Sequence, residues 1–327
     1  MRRIRRILIA VKDPRARTSP AVTKGTQLAV ALGAEVELFH ALCDPMIVRE
    51  DDRGEYSPPR RARRELDDDR AALERIATAI RGHGVTVHCH ALWDYPPHEA
   101  IVRRALGTEA DLLVVERHAG PHRAPWLLTY SDWEVLRLSP CPVLLVKSGR
   151  PWHRPAILAA VDPAHAHAKP ARLDTQILEV ADALRGALKG RLDVVHAFSP
   201  PLFFDPGMPG SGATSAAEVI DGAAQEAARR VDALLAKLRL GPVGRYLPNA
   251  PAPLAIASTA RSARSAIVVM GAVSRSGLKR LFIGDTAADT VDSLKADVLV
   301  VKPGGFAPDL PRRPRGMSVL TLRATVS

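Results

Sequence analysis

Short runs that are apolar throughout alternate with helical patterns along the chain. The runs at residues 7–11 and 157–161 are each followed by Asp and Pro, as expected of buried strands that end in loops. In one stretch between the runs, apolar residues recur every three or four positions: Leu173, Ile177, Val180, Leu184 and Leu188. This spacing predicts a helix with Gly190 as its C-cap. Apolar strands that alternate with helices predict a parallel sheet covered on both faces.

The whole pattern occurs twice in the same order. Residues 111–115 match 265–269, and residues 141–147 match 296–302. Further helices are predicted at about residues 22–32, 60–81 and 215–240. The predicted fold class is therefore α/β, with two tandem doubly wound five-stranded parallel-sheet domains that are Rossmann-like.

Proline, glycine and charge mark the boundaries of these repeats. Between residues 148 and 155 the pattern is interrupted, which predicts one domain over residues 1–150 and a second over residues 151–303. The tail at residues 304–327 is expected to be flexible, or at most to add one strand. Residues 49–60 and 199–214 occupy the same place in both repeats, and we expect these long loops to border any ligand cavity.

The composition of the chain limits the cellular compartments and the kinds of partner that we expect for it. The chain of 327 residues has 46 Lys and Arg against 35 Asp and Glu, a net charge of +11 that attracts anions without choosing among them. Its three cysteines are too few for a disulfide framework or a CxxC metal site. No apolar run approaches the roughly 18–20 residues that would span a bilayer. We expect a cytoplasmic protein without a membrane span.

Two arginine runs, at residues 2–6 and 60–64, raise the question of nucleic-acid binding. Neither run contains an aromatic residue, and aromatic residues make up only 4% of the chain. The acidic residues 67–69 follow the second run and neutralise much of it. A solvated helix face explains these runs better than a specific nucleic-acid site.

Histidines and cysteines offer weak candidates for a metal site. The candidates are His165 with His167, and His88 with Cys89 and His90. On a strand, neighbouring side chains point to opposite faces, so the second group cannot bind one ion without a bulge. We predict no metal site.

Patterns that mark catalysis are also missing from the sequence. No nucleophile elbow, HExxH or Walker A pattern occurs, so we do not predict an enzyme. His40 and His196 recur at equivalent strand ends, and a repeated position indicates a shared packing or hydrogen-bonding role rather than two catalytic sites.

Several of these segments together resemble the universal stress protein family. They are residues 157–163, 269–287, 298–303 and 131–147, and the resemblance covers nearly all of residues 7–303. The two halves look like tandem domains of this family, most similar to the two-domain E-type bacterial proteins. The resemblance implies a fold like that of the adenine nucleotide alpha hydrolases and a stress-response role without an assigned reaction.

ATP-binding relatives in this family use a glycine motif, G-x-x-G-x9-G-[S/T]. The second repeat keeps its frame at Gly271, Ser274, Gly284 and Asp285, with serine for the second glycine and aspartate for the final hydroxyl residue. Glycines let backbone N–H groups approach phosphates closely, so the frame predicts a degraded phosphate cradle. The alternative is that Gly271 serves a turn, while Asp285 and Thr286 cap the next helix.

The first repeat fits the motif no better. There the frame reads Arg117, Gly120, Tyr130 and Ser131. The resemblance also assigns Asp162 to the acidic position that contacts the nucleoside, whereas Lys12 stands in that frame in the first repeat. Any nucleotide is therefore expected in the second repeat.

Two functions follow from this resemblance. The first is a non-catalytic stress-response protein that acts through protein contacts and a small ligand. The second is an ATP-binding, slowly hydrolysing sensor that uses Asp162 and the segment from Gly271 to Thr286. Because exposed edge strands tend to pair, we also expect an intramolecular pseudo-dimer through residues 143–147 and 298–302, and a homodimer as a further possibility.

Overall fold

The computed structural model describes residues 3–42, 60–94, 96–117, 131–163, 172–199, 216–272 and 290–303, together with Phe306 and Leu310. It divides into two compact units, the first over Arg2–Trp152 and the second over His153–Gly304. The predicted loops at residues 49–60 and 199–214 lie almost entirely outside the described residues. So does the tail at 304–327, apart from Phe306 and Leu310.

The first unit contains five strands and four helices among its described residues. In chain order these are β1 (Arg6–Ala10), α1 (Pro20–Leu32), β2 (Glu35–Leu42), α2 (Arg60–Arg81), β3 (Val87–Trp93), α3 (Pro97–Gly107), β4 (Leu112–Glu116), α4 (Ser131–Leu138) and β5 (Val143–Val146). The strands lie in the order β3-β2-β1-β4-β5, and every neighbouring pair is parallel. The helix predicted over residues 60–81 is confirmed.

The second unit repeats this arrangement. Its elements are β6 (Ala156–Ala160), α5 (Leu173–Leu188), β7 (Arg191–Val195), α6 (Ala216–Leu238), β8 (Gly244–Tyr246), α7 (Ala252–Ser262), β9 (Ile267–Gly271) and β10 (Asp297–Val301). Its strands lie in the order β8-β7-β6-β9-β10, again all parallel. The predicted fold class of tandem five-stranded parallel sheets is confirmed.

The central strands form the core of each unit. Ile7, Leu8 and Ile9 of β1 are almost completely buried, as are Ile157 and Leu158 of β6. Strands covered on both faces need apolar residues at every position, which is why the sequence shows continuous runs rather than alternation. Chain order changes direction between β1 and β4, and between β6 and β9, so each unit has its topological switch point there.

Helix ends differ in detail from the sequence prediction. The helix α1 begins at Pro20, two residues early, because the Ser19 hydroxyl accepts a hydrogen bond from the Val22 N–H at 3.4 Å and caps the helix. The prediction that Gly190 caps α5 is wrong, because Lys189 is the left-handed residue, with φ of 51°. Gly190 is needed for another reason: a Cβ there would lie 2.3 Å from the Pro155 carbonyl oxygen.

Strand pairing also corrects the alignment of the two repeats. Ile7 pairs with Leu112 in the first unit, and the equivalent Ile157 pairs with Ile267 in the second. The sequence comparison that equated residue 111 with residue 265 is therefore wrong by one position. The predicted pairing of residues 143–147 with 298–302 stays a prediction.

Candidate functional site

The candidate site lies outside the carboxyl ends of the central strands, at the switch point of each sheet. Doubly wound folds bind ligands in the crevice that forms there, because loops on the two sides of the switch point run in opposite directions. In the second unit this edge lies beyond β6 and β9, and in the first it lies beyond β1 and β4.

Asp162 stands at this edge in the second unit, two residues after β6. Its side chain is 43% exposed. Its backbone N–H donates to Oδ1 of Asp174, in the first turn of α5, at 3.1 Å. Asp162 is therefore held against the start of a helix and reaches solvent at the switch point.

Gly271 ends the neighbouring strand β9 and lies against the same helix. A Cβ on Gly271 would lie 2.7 Å from Cδ2 of Leu173 and 3.1 Å from Cδ1 of Ile177. The helix α5 thus packs too closely on β9 for any side chain at this position. Close helix packing accounts for this glycine without a phosphate.

The remaining residues of the predicted nucleotide site cannot be placed in this geometry. Ser274, Gly284, Asp285 and Thr286 lie outside the described residues. Of the predicted set, the structure brings Asp162 and Gly271 to adjacent strand ends, and the phosphate cradle stays a prediction.

His40 and His196 have the shared hydrogen-bonding role that their repeated position predicts. The Nδ1 atom of His40 lies 2.8 Å from the Val11 carbonyl oxygen, and Nδ1 of His196 lies 3.2 Å from the equivalent oxygen of Val161. A carbonyl oxygen only accepts hydrogen bonds, so Nδ1 carries the proton in both rings. Each histidine joins the end of the second strand of its sheet to the end of the first.

A buried carboxylate and an arginine lie beside this histidine in the first unit. The Nε2 atom of His40 lies 3.5 Å from Oδ2 of Asp69, whose other oxygen accepts a hydrogen bond from Nε of Arg15 at 2.9 Å. Asp69 belongs to α2 and is buried. We call these three residues, Arg15, His40 and Asp69, the edge cluster. It fastens α2 and the segment after β1 to the end of β2.

The edge cluster changes the interpretation of the acidic residues 67–69. We predicted from the sequence that all three neutralise the arginines at 60–64. In the described part of the chain, however, they pair with other residues. Asp67 pairs with Arg70, Asp68 lies 3.9 Å from Arg15, and Asp69 points inward. Asp69 looks exposed in the sequence because it follows two other aspartates. The one signal for its burial is its helical spacing from the apolar Leu66 and Leu73, three residues before it and four after it.

Two further carboxylates occupy the same edge of the first unit. Asp13, beside Lys12, accepts a hydrogen bond from the Arg15 N–H at 2.8 Å and forms a turn. Glu116, the last residue of β4, accepts from the Ser19 hydroxyl at 3.3 Å. Both carboxylates therefore accept hydrogen bonds from their own unit.

Cys89 and its flanking histidines do not converge on a metal. Cys89 faces α2 and donates from Sγ to the Leu73 carbonyl at 3.6 Å, while His90 stacks on Phe39. Burial, together with the nearby Glu74, raises the pKa of the Cys89 thiol to about 12, and burial lowers the pKa of His90. Among the described residues no group of three potential ligands could hold an ion. His165 and His167 lie outside them.

A buried charged group near the end of β3 was missed by sequence reasoning. Arg103 of α3 donates to Oδ2 of Asp94 at 2.7 Å and to Oε2 of Glu99 at 3.0 Å. All three side chains are nearly inaccessible to solvent. The spacing of Glu99 and Arg103 predicts a helical pair, but nothing in the sequence signals the third partner.

Within the described ranges, no helix is both long and apolar enough to cross a membrane.

Among solved structures, the chain is similar to a protein of unknown function from Pseudomonas aeruginosa PAO1, with 23% identity, a TM-score of 0.69, and coverage of 98% of this chain and 97% of the other. It is also similar to a universal stress protein from Archaeoglobus fulgidus, with 15% identity, a TM-score of 0.62, and coverage of 92% and 97%. These likenesses confirm the fold.

Sequence relatives cover almost the same extent. Universal stress protein E of Escherichia coli K12 is 25% identical over 316 residues, which are 91% of this chain and 94% of the relative. The Photorhabdus laumondii protein of the same name is 23% identical over 91% and 95%. The model of the Universal stress protein family matches residues 3–147 and again residues 156–302. With one match in each half, the chain belongs to the universal stress protein family.

Proposed function

We propose that this protein is a non-catalytic stress-response protein that acts through contacts with other proteins and takes a small ligand in its second unit. The observation that carries the proposal is the position of Asp162, whose side chain is 43% exposed at the switch point beside Gly271. The relatives that span the chain are named universal stress proteins, which supports the stress-response role.

The chemistry of the described side chains supports a role without catalysis. His40 and His196 use Nδ1 to bind carbonyl oxygens between strands. The thiol of Cys89, with its pKa raised to about 12, keeps its proton at neutral pH and is a poor nucleophile. These groups serve the fold.

An ATP-binding, slowly hydrolysing sensor is the second candidate. Asp162 favours it, because an acidic residue at this strand end matches the position that contacts the nucleoside in ATP-binding relatives. Gly271 favours it less, because the contact of α5 with β9 already requires a glycine there. We therefore rank ATP below a different small ligand.

Mass spectrometry of small molecules released from the purified full chain tests this ranking. We expect no ATP, and no phosphate release when ATP is added. Calorimetry then compares the ATP affinity of three variants. Asp162→Asn removes the proposed contact, and Asp13→Asn is its control, because Asp13 stands beside Lys12 at the corresponding place in the first unit. The double variant Ser274→Gly/Asp285→Ser restores the family motif. If ATP co-purifies with the chain and is hydrolysed, and if only Asp162→Asn abolishes its binding, the second candidate function replaces the first.

We also propose a cytoplasmic location, which agrees with the low cysteine content of the chain. Cell fractionation tests it directly: the full chain should remain in the cytoplasmic fraction after the membranes are removed. Recovery in the membrane or periplasmic fraction would contradict this part of the proposal.

A further inference from the structure

A cavity of about 240 Å³ lies at the opposite end of the second unit from Asp162. It sits between the C-terminal end of α7 and the segments that lead into β9 and β10, at the amino ends of these strands. Its polar lining consists of Arg261, Arg264, Ser265, Ser293 and Lys295, and small apolar side chains separate them. We call it the α7 cavity.

Every charged side chain among the described residues that line the α7 cavity is positive. Arg261, Arg264 and Lys295 are exposed, and in the described part of the chain none of the three side chains has an ion-pair partner. The nearest acids in sequence, Asp292 and Asp297, are not among its lining residues. Three cations held around one cavity repel one another, so an anion between them would relieve the repulsion.

Ser265 adds a second and independent observation. Its Oγ atom is buried and has no hydrogen-bond partner within the described part of the chain, although its backbone N–H donates to the Ala260 carbonyl at 2.8 Å. Buried hydroxyl groups in folded proteins are almost always paired, so an unpaired one beside three cations points to a ligand that completes its hydrogen bonding.

The first unit shows that the backbone requires none of these polar groups. Glu109 and Arg264 have the same left-handed conformation, with φ of 50° and 51°. Each N–H donates to the third residue before it, Leu106 in the first unit and Arg261 in the second. The residue that follows is Ala110 in the first unit and Ser265 in the second. At identical geometry, the second unit has two arginines and a serine where the first has leucine, glutamate and alanine.

The segment that leads into the last strand of each unit gives the same result for the lysine. Val143 and Val298 hold equivalent places beside β4 and β9, which puts Pro140 of the first unit at the position of Lys295. Helix capping and strand pairing are therefore satisfied without any of the three cations.

We propose that the α7 cavity binds a small phosphate-bearing anion. Guanidinium groups present a planar fork that matches phosphate oxygens, and a serine hydroxyl donates a further hydrogen bond. A phosphate monoester carries a charge of about −1.5 to −2 at pH 7, which three cations balance. The cavity is smaller than the roughly 300–1,000 Å³ of sites for larger ligands, and none of its described lining residues is an aromatic that could stack on a base.

Calorimetry on the full chain at low ionic strength tests this site, with inorganic pyrophosphate and glycerol 3-phosphate as separate probes. Saturable binding of the first alone indicates a free phosphate chain as the ligand, and binding of the second indicates a phosphate ester. We expect Arg264→Glu, which copies Glu109, to weaken binding by about tenfold or more. If neither probe binds the native chain, the proposal is overturned.

Arg239→Glu is the matched control. Arg239 is exposed, follows α6, and has the same φ of 51° as Arg264. Arg239→Glu therefore makes the same change of charge in the same backbone conformation, but away from the cavity. It should alter affinity by less than about twofold. Equal losses in both variants would show that net charge alone attracts the probe, and would refute a specific site. Asp162→Asn should leave pyrophosphate binding unchanged, which separates this cavity from the proposed site at the other end.

Ser265→Ala distinguishes a ligand contact from a structural one. A serine that served the fold would lower thermal stability when replaced. Because its hydroxyl is buried and unpaired, we expect the alanine variant to melt at the same or a higher temperature while binding the probe about threefold or more weakly. Unchanged affinity, or a lower melting temperature with unchanged affinity, would contradict a role for this hydroxyl in binding.

Discussion

At the carboxyl ends of the central strands the two units share a backbone contact but differ in the side chains around it. Both use a histidine to join the first two strands, through the Val11 carbonyl in one unit and the Val161 carbonyl in the other. In the first unit the edge cluster of Arg15, His40 and Asp69 binds this end to α2. In the second unit Asp162 stays 43% exposed. A repeat can thus keep its backbone contacts while the carboxylate beside the shared histidine is buried in one copy and partly exposed in the other.

The helix before the fourth strand also carries different side chains in the two units. In α3, Arg103 is buried between two carboxylates, and its equivalent in α7 is Ser258. One turn further on, Glu109 of the first unit corresponds to Arg264 of the second. Because these helices end in the same way, the shared backbone leaves the choice of these side chains open.

The largest expected effect comes from removing the buried charge of the first unit. Arg103→Ala leaves Asp94 and Glu99 as buried carboxylates without their cation, which should destabilise the first unit by about 3–5 kcal/mol. Ser258→Ala removes only a hydroxyl that donates within its own helix to Ala255, at 3.1 Å. It should cost less than about 1 kcal/mol. Hydrogen exchange of amides in the equivalent strands β2 and β7 measures the two effects, and similar losses would show that the units are equally dependent on this position.

A smaller effect is expected at the strand end of the second unit. Gly271→Ala would force a methyl group against Leu173 and Ile177 of α5, and such overpacking typically costs about 1–3 kcal/mol. Gly186→Ala, within α5 itself, meets no atom within 4 Å and should stabilise the helix by about 0.5–1 kcal/mol. Urea unfolding followed by circular dichroism compares the pair. A neutral Gly271→Ala variant would mean that packing does not explain this glycine.

The smallest effect concerns the thiol in β3. Since the pKa of Cys89 is raised to about 12 in the folded chain, this thiol stays protonated at pH 8. The unfolded chain ionises near pH 8.5, so this group makes folding less favourable as the pH rises from there towards 12. With Cys43 and Cys141 replaced by serine, iodoacetamide should modify Cys89 at least about tenfold more slowly in buffer than in urea. Equal rates would contradict its protected state.

Most of the fold followed from the sequence because parallel strands carry a signal at every residue. The apolar runs around Ile7 and Ile157 and the helix at residues 60–81 were all placed by that signal. One error came where a single backbone angle decides the outcome. A lysine at position 189 adopts a conformation that glycine usually takes, so the cap was assigned to Gly190.

The candidate site was less predictable, because it depends on contacts between distant segments. Asp162 and Gly271 were placed at neighbouring strand ends, as the topology requires. The reason for Gly271 lies in the approach of α5, which no local pattern reveals. The burial of Asp69 and the orphan hydroxyl of Ser265 likewise depend on packing, since each residue looks like a surface residue in sequence.

One measurement tests the contrast between the two edges most directly: hydrogen exchange, read separately in each unit, for Asp69→Asn and Asp162→Asn. Asp69 is buried and bound to Arg15 and His40, so its loss should lower the free energy of opening in β1 and β2 by about 1–3 kcal/mol. Asp162 is partly exposed, so its loss should change the value for β6 and β7 by less than about 1 kcal/mol. Equal losses in both units, or a larger loss with Asp162→Asn, would contradict a buried, structural carboxylate in the first unit and a partly exposed one in the second.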